Sequence, residues 1–331
     1  MSAALPAVLL TAAAKRLRAA GVDSPRREAR LLLAHALGVT QEDLIAKDIG
    51  EPGADALARF ETALARRAAR EPLAYILGRR EFWSLDFAVG PEVLVPRPES
   101  EALIEEAFRR FPLRDAPLRV LDLGTGSGCL LLAFLSERPK ARGVGADISP
   151  AALAIATKNA AALGLDNRSR FVRSDWTKNI SGSFDAIFIN PPYIAEQELS
   201  GLEPEVARYE PRHALEGGKD GLAAYRTISG SLGRHLKPNG WVFLEIGEGQ
   251  APSVTDVLAE TRLKIEGTVY DLTGIPRCLV VGLRQEKFRQ KRIGNRGVKR
   301  LRSAPLGNTK GRPPRSGGAG GSADKAPPFG T

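Results

Sequence analysis

Asn190, Pro191, Pro192 and Tyr193 place an amide, two rigid rings and an aromatic face directly after an apolar run. These residue types suit one task, which is holding a planar amino group. Such a nitrogen attacks poorly because its lone pair is delocalised. A site that uses it must take both N–H groups with acceptors and turn the open face toward the electrophile. The Asn190 side-chain oxygen is one acceptor and the Pro191 carbonyl the second, while the Tyr193 ring can lie flat against the planar group. No strong base is needed if the proton leaves after the new bond forms, so rigid positioning is the main catalytic lever. The plainer reading of the same four residues is a strand followed by a stiff polar loop.

The residues before them favour a strand end. Ala186, Ile187, Phe188 and Ile189 form a continuous run with β-branched and aromatic members, the pattern of a strand covered on both faces. Neither proline can donate to a ladder, so the strand stops there. A residue before proline is held extended, which fixes Asn190 at the strand's carboxyl end, where open α/β sheets bind ligands.

A second constellation lies upstream in "LDLGTGSGCLLLA", a strand, a turn and a helix. Its turn, Gly124, Thr125, Gly126, Ser127 and Gly128, bends tightly and keeps Cβ atoms away from a ligand. The dinucleotide fingerprint needs glycine or alanine where Cys129 stands, so that pattern fails. The turn instead resembles the S-adenosylmethionine loop of Rossmann-like methyltransferases. Asp147 ends the next strand, where a carboxylate can accept both ribose hydroxyls. Its structural alternative is a helix cap before Pro150, for which Ser149 is the better candidate. Asp175 or Trp176, after the third strand, would border an adenine ring. The four groups fall at the ends of strands one to four, so one crevice would gather them.

Longer stretches narrow the family. "LVPRPESE" at 94–101, "SDW" at 174–176, "NPPYIAEQE" at 190–198, "YEPRHALEGGKDGLAAYR" at 209–226 and "DLTGIPR" at 271–277 join the glycine turn. With "EARLLLAHALG" and "REPLAYILGRREFW" in the N-terminal part, they resemble the peptide chain release factor glutamine methyltransferases, the PrmC/HemK family. The resemblance spans about residues 15 to 284. It implies methylation of the side-chain N5 of the glutamine in the GGQ motif of class I release factors, with S-adenosylmethionine as donor. It implies that Gly124 to Gly128, Asp147, Trp176 and Asn190 contact the donor, and that Asn190 to Tyr193 hold the glutamine. Arg97 and Glu99 shape the entrance or pair with charges elsewhere. Ser100 stands where threonine is expected, a departure read as minor.

The elements that must position these groups follow from periodicity. Residues 1–78 read as a helical recognition domain. Ser24 caps a helix that begins at Pro25 and ends at Gly38. Residues 79–96 alternate like a β-hairpin linker. Residues 97–284 alternate strand and helix, which implies a Rossmann-like domain of the α/β class with a seven-stranded, mostly parallel sheet. The last two strands are spaced to pair antiparallel.

The net charge of +10 is unevenly placed. From Arg284 to Thr331, 13 Lys and Arg face only Glu286 and Asp324, which leaves −1 on the other residues. Residues 285–331 read as a basic disordered tail, either a spacer or a weak, non-specific contact for RNA or the ribosome. Cys129 and Cys278 make no disulfide framework and fit a reducing cytoplasm. His35, His213 and His235 are scattered and read as structural, and no metal site is expected. No apolar run approaches a membrane span, and the first apolar patch reads as a helix rather than a leader. The expected protein is a cytoplasmic monomer. Three other readings remain: an adenine or cytosine amino-methyltransferase, a glutamine methyltransferase of another translation protein, and a binding-only module. The near-neutral body disfavours the first.

Overall fold

Among the described residues, apolar positions at helical spacing fold the N-terminal part into five helices. These are α1 (Ala4–Ala19), α2 (Pro25–Leu37), α3 (Gln41–Ala46), α4 (Ala54–Ala68) and α5 (Leu73–Leu77). Leu17, Leu32, Leu33, Phe60 and Leu64 form their common core. Pro25 starts α2, and Gly38 ends it in the left-handed conformation at φ 69°. Ser24 holds the cap position, but its side chain makes no capping bond, so the proline supplies the start signal. A computed structural model describes residues 4–46, 51–271 and 273–284 of the chain. The tail expected at 285–331 lies outside the described residues.

Strands β1 (Arg79–Phe82) and β2 (Leu85–Ala88) pair antiparallel, with Arg79 opposite Ala88. Trp83 and Ser84 turn between them at φ 55° and 56°, the left-handed pair that a two-residue hairpin demands. Helix α6 (Glu101–Arg110) follows.

Next come β3 (Arg119–Leu123), α7 (Cys129–Glu137), β4 (Arg142–Asp147), α8 (Pro150–Ala162), β5 (Ser169–Arg173) and β6 (Phe184–Ile189). An insert with the short α9 (Pro204–Tyr209) leads to α10 (Ala223–His235), β7 (Leu236–Glu245), α11 (Ala251–Ala259), β8 (Leu263–Tyr270) and β9 (Pro276–Leu283). The seven strands β3 to β9 lie in the order β5-β4-β3-β6-β7-β9-β8. All neighbours are parallel except β9, which runs antiparallel to both β7 and β8. The expected α/β class, seven-stranded sheet and final antiparallel pair are therefore present.

β6 shows why its sequence is apolar without alternation. Ala186 and Phe188 join one core layer with Leu131, Phe134 and Phe243, while Ile187 and Ile189 join the other with Tyr225 and Leu232. The Phe188 ring lies 5.5 Å from Phe134 and 5.3 Å from Phe243. Burying a side chain of this kind contributes about 2–3 kcal/mol. Strand order reverses between β3 and β6, whose ends align with Leu123 opposite Ile189. Gly124 and Asn190 therefore leave the sheet side by side, at the point where α/β sheets open a crevice.

Candidate active site

The glycine turn is held by its own backbone and by carboxylates. Gly124 N and Thr125 N both donate to Ala146 O, at 2.8 and 3.0 Å. Gly124, Gly126 and Gly128 adopt φ of 74°, 54° and 83°, where side chains are strained. A Cβ on Gly128 would meet Leu132 Cδ1 at 3.1 Å and the Ala156 Cβ at 3.3 Å. A Cβ on Gly124 would point between the Asn190 carbonyl oxygen, at 3.7 Å, and the Trp176 ring, at 3.9 Å.

Asp147 grips this turn. Its Oδ2 accepts from Gly126 N at 3.0 Å and its Oδ1 from Ser149 N at 2.9 Å. The cap of α8 is Ser149, whose Oγ accepts from Ala152 N at 3.2 Å. Below the turn, Thr125 Oγ1 donates to Asp122 Oδ2 at 2.6 Å. Burial pushes the Asp122 carboxyl up to about 7. Asn159 ties the hairpin to the turn: its Nδ2 donates to Ala88 O and to Ser127 O, and its Oδ1 accepts from Ala88 N.

After β5, Ser174 Oγ donates to Trp176 O at 2.7 Å and holds a turn in which Trp176 sits at φ 52°. Asp175 pairs with Lys178 at 2.5 Å. After β6, Asn190 Nδ2 donates to Ser100 Oγ at 3.3 Å. Ser100 Oγ donates in turn to Glu245 Oε2 at 2.5 Å. Tyr193 OH donates to Glu245 Oε1 at 3.5 Å, and Gln250 Nε2 donates to Tyr193 O at 2.8 Å. Burial pushes Glu245 up to about 7.

These elements enclose a cavity of about 380 Å³ at the carboxyl edge of the sheet. Gly124, Thr125, Gly126, Ser127, Asp147, Asp175, Trp176, Asn190 and Pro192 stand in its wall. Gly128 and Pro191 lie behind the wall, and so does Tyr193. The Tyr193 ring, expected to lie against a planar group, packs on the core layer that includes Ile187 and Ile189. Gly247 makes room for it, since a Cβ there would lie 3.0 Å from Tyr193 Cδ2. Arg97 also lines the cavity and pairs with the buried Glu210 at 2.6 Å. Glu99 was the other residue read as shaping the entrance, and it does not contribute to the wall.

Comparison with known proteins decides the family. The PrmC N-terminal domain matches residues 9–78 and the methyltransferase small domain matches residues 101–209. A release factor glutamine methyltransferase of Cereibacter sphaeroides is 46% identical over 270 residues, which is 82% of this chain and 95% of that protein. The chain belongs to the release factor glutamine methyltransferases. A second member, from Rhodospirillum rubrum, is 44% identical over 272 residues, 82% of this chain and 83% of its own. At the level of fold alone, the solved hMettl16 catalytic domain in complex with a 3′UTR hairpin aligns with a TM-score of 0.51. It is 16% identical and covers 68% of this chain and 83% of that one.

Several residues in or behind the cavity wall carry no clear signal in the sequence. Glu245 ends an apolar strand and looked like part of it. Ser100, read as a minor departure, links Glu245 to Asn190. Ile148 lines the cavity and keeps 53% of its surface exposed, an apolar residue left open beside Asp147. His213, read as structural, reaches the wall from a short 3₁₀ turn. Cys129 lines it too, but burial pushes its thiol up to about 12, so it is not a thiolate nucleophile.

Proposed function

We propose that the protein transfers a methyl group to the side-chain N5 of the glutamine in the GGQ motif of class I release factors, using S-adenosylmethionine. The observation that carries this reading is the direction of the Asn190 amide. Its Nδ2 is committed to Ser100, so its Oδ1 remains as an acceptor at a cavity shared with the glycine turn. Amide orientation is assigned from such partners.

The residues fit the donor. The space that a Gly124 Cβ would fill is a cradle between Asn190 and Trp176. In this reading Asp147, on the cavity wall, takes the ribose hydroxyls, and Ile148, Asp175 and Trp176 border the adenine ring. When bound, S-adenosylmethionine would supply an electrophilic methyl, whose transfer from sulfur to the amide nitrogen would leave a thioether and release the displaced amide proton to water.

Asn190 Oδ1 takes one N–H of the acceptor amide. The Pro191 carbonyl, on the peptide link to the cavity-lining Pro192, takes the other. Tyr193 acts from behind, where its hydroxyl and carbonyl are both engaged and its ring wedges the turn. Fixing the nitrogen in line is worth several kcal/mol, on the order of 7–11 at best.

The helical part is the release-factor dock in this proposal. It is clamped to the insert that follows Tyr193: Arg67 and Arg70 pair with Glu205 at 2.8 and 2.6 Å, and Tyr209 OH donates to Ala69 O at 2.9 Å. We assign the protein to the cytoplasm, where release factors act, as a monomer. No described helix is long and apolar enough to cross a membrane. The basic tail would add weak, salt-sensitive contact with RNA.

The test is transfer of labelled methyl from S-adenosylmethionine to purified release factor, with DNA and RNA as rival acceptors and Asn190→Ala as control. Label on the release factor, lost with Asn190→Ala, supports the proposal. Label on nucleic acid alone overturns it.

A further inference from the structure

We propose that Glu245 is a positioning residue for methyl transfer, acting through Ser100 on the side-chain amide of Asn190. The inference rests on the reading of Asn190 as the residue that holds the acceptor amide.

Three separate elements meet in this chain of contacts. Glu245 ends β7, Ser100 ends the 3₁₀ turn before α6, and Asn190 follows β6. Glu245 and Ser100 are only 4% and 3% exposed, so water does not compete for their bonds. The polarity of the chain is fixed by chemistry. A carboxylate oxygen only accepts, so the Ser100 hydroxyl must spend its one proton on Glu245 Oε2. The Ser100 oxygen is then left as an acceptor, and Asn190 must present Nδ2 to it. That choice turns Asn190 Oδ1 away from Ser100, toward the position of the amide to be methylated. Without Glu245, Ser100 could donate or accept, and both orientations of Asn190 would be allowed. A flipped Asn190 would offer a donor where the acceptor amide also has donors.

The surroundings of Glu245 bear on its charge. Burial disfavours the ionised form, as does Glu99 in the 3₁₀ turn. Arg277 on β9 favours it, and Ser100 and Tyr193 donate to it. Cys278, its partner across the β7–β9 ladder, is buried with its thiol pushed up by burial, so it stays neutral. A protonated Glu245 can donate, and the direction of the chain is then no longer imposed.

The test compares Ser100→Ala, Ser100→Thr, Glu245→Gln and the double variant Ser100→Ala with Glu245→Gln. Melting temperature and calorimetric S-adenosylmethionine affinity show that each is folded. Ser100→Ala should lower kcat on release factor about 10- to 100-fold, with KM for both substrates nearly unchanged. Ser100→Thr keeps a hydroxyl and should retain most of kcat. Glu245→Gln, which can donate or accept, should lower kcat in the native background. It should add nothing in the Ser100→Ala background, because one chain is cut only once.

Unchanged kcat in Ser100→Ala, or losses that multiply in the double variant, would overturn the proposal. One readout needs no acceptor. The Asn190 Nδ2 protons, followed by NMR in the full chain, should shift with pH with a midpoint near 7 and cease to do so in Ser100→Ala. Nδ2 protons whose shift is the same in the native chain and in Ser100→Ala overturn the proposal even if release factor is not methylated. Native protein that shows the shift but leaves release factor unlabelled refutes the functional reading instead and upholds the contact chain.

Discussion

Replacing Asp122 with asparagine should remove a pH dependence from folding stability. Asp122 lies on β3 beneath the glycine turn and is 1% exposed. Its Oδ2 accepts from Thr125, but its Oδ1 has no hydrogen-bond partner among the described residues. Burial raises the carboxyl from 3.8 to about 7, and the nearby Asp147 carboxylate adds to the rise. The unfolded chain therefore releases this proton near 3.8, whereas the folded chain holds it until about 7. Between those values the folded state binds more protons, so stability is fully present below 3.8 and declines as pH rises to 7. Between pH 5 and pH 8 the side chain should cost roughly 3 kcal/mol, from about two pH units at about 1.4 kcal/mol each. Asparagine has no such proton. Its buried Nδ2 lowers stability by the same amount at every pH, so the slope is the readout. Urea unfolding at pH 5 and pH 8 should show Asp122→Asn gaining roughly 3 kcal/mol on the native chain between the two. Parallel behaviour of the two proteins would show that Asp122 does not hold its proton above the usual carboxylate range.

Three further outcomes are expected. Glu205→Gln leaves Arg67, whose side chain is 6% exposed, without one carboxylate partner, and should cost roughly 3 kcal/mol in urea unfolding. Gly128→Ala places a Cβ at φ 83° and 3.1 Å from Leu132 Cδ1, and should cost at least about 1–2 kcal/mol and weaken donor binding in calorimetry. A chain ending at Leu283 should methylate isolated release factor as fast as the full chain. The full chain should bind RNA in a filter-binding assay at low salt, and the shortened chain should not.

The fold and part of the site were legible because their signals are local. Ala186 to Ile189 announce a strand with two covered faces, and Pro191 and Pro192 announce its end within the same few residues. The glycine turn, Asp147 and Trp176 each follow a strand that periodicity alone marks, and parallel order then brings them together. Residue type marks Ser24 as the cap position, which it holds, but not that its side chain makes no capping bond. What stayed hidden depends on distant pairing. Ser100 and Glu245 are 145 residues apart, and neither has a neighbour in sequence that betrays the contact. The sequence marks Tyr193 as part of the turn but not the direction of its ring, which packs on the core. Its direction is set by Gln250 and by the gap at Gly247, and both come from a later segment.

In the proposed reaction Asn190 and its prolines hold a glutamine side-chain amide in line with a methyl donor. The most direct measurement is fragmentation mass spectrometry of a class I release factor after incubation with the full chain and S-adenosylmethionine. A single added methyl is expected on the GGQ glutamine, absent when Asn190→Ala is used. A methyl on any other residue, or an equal yield from Asn190→Ala, would contradict it.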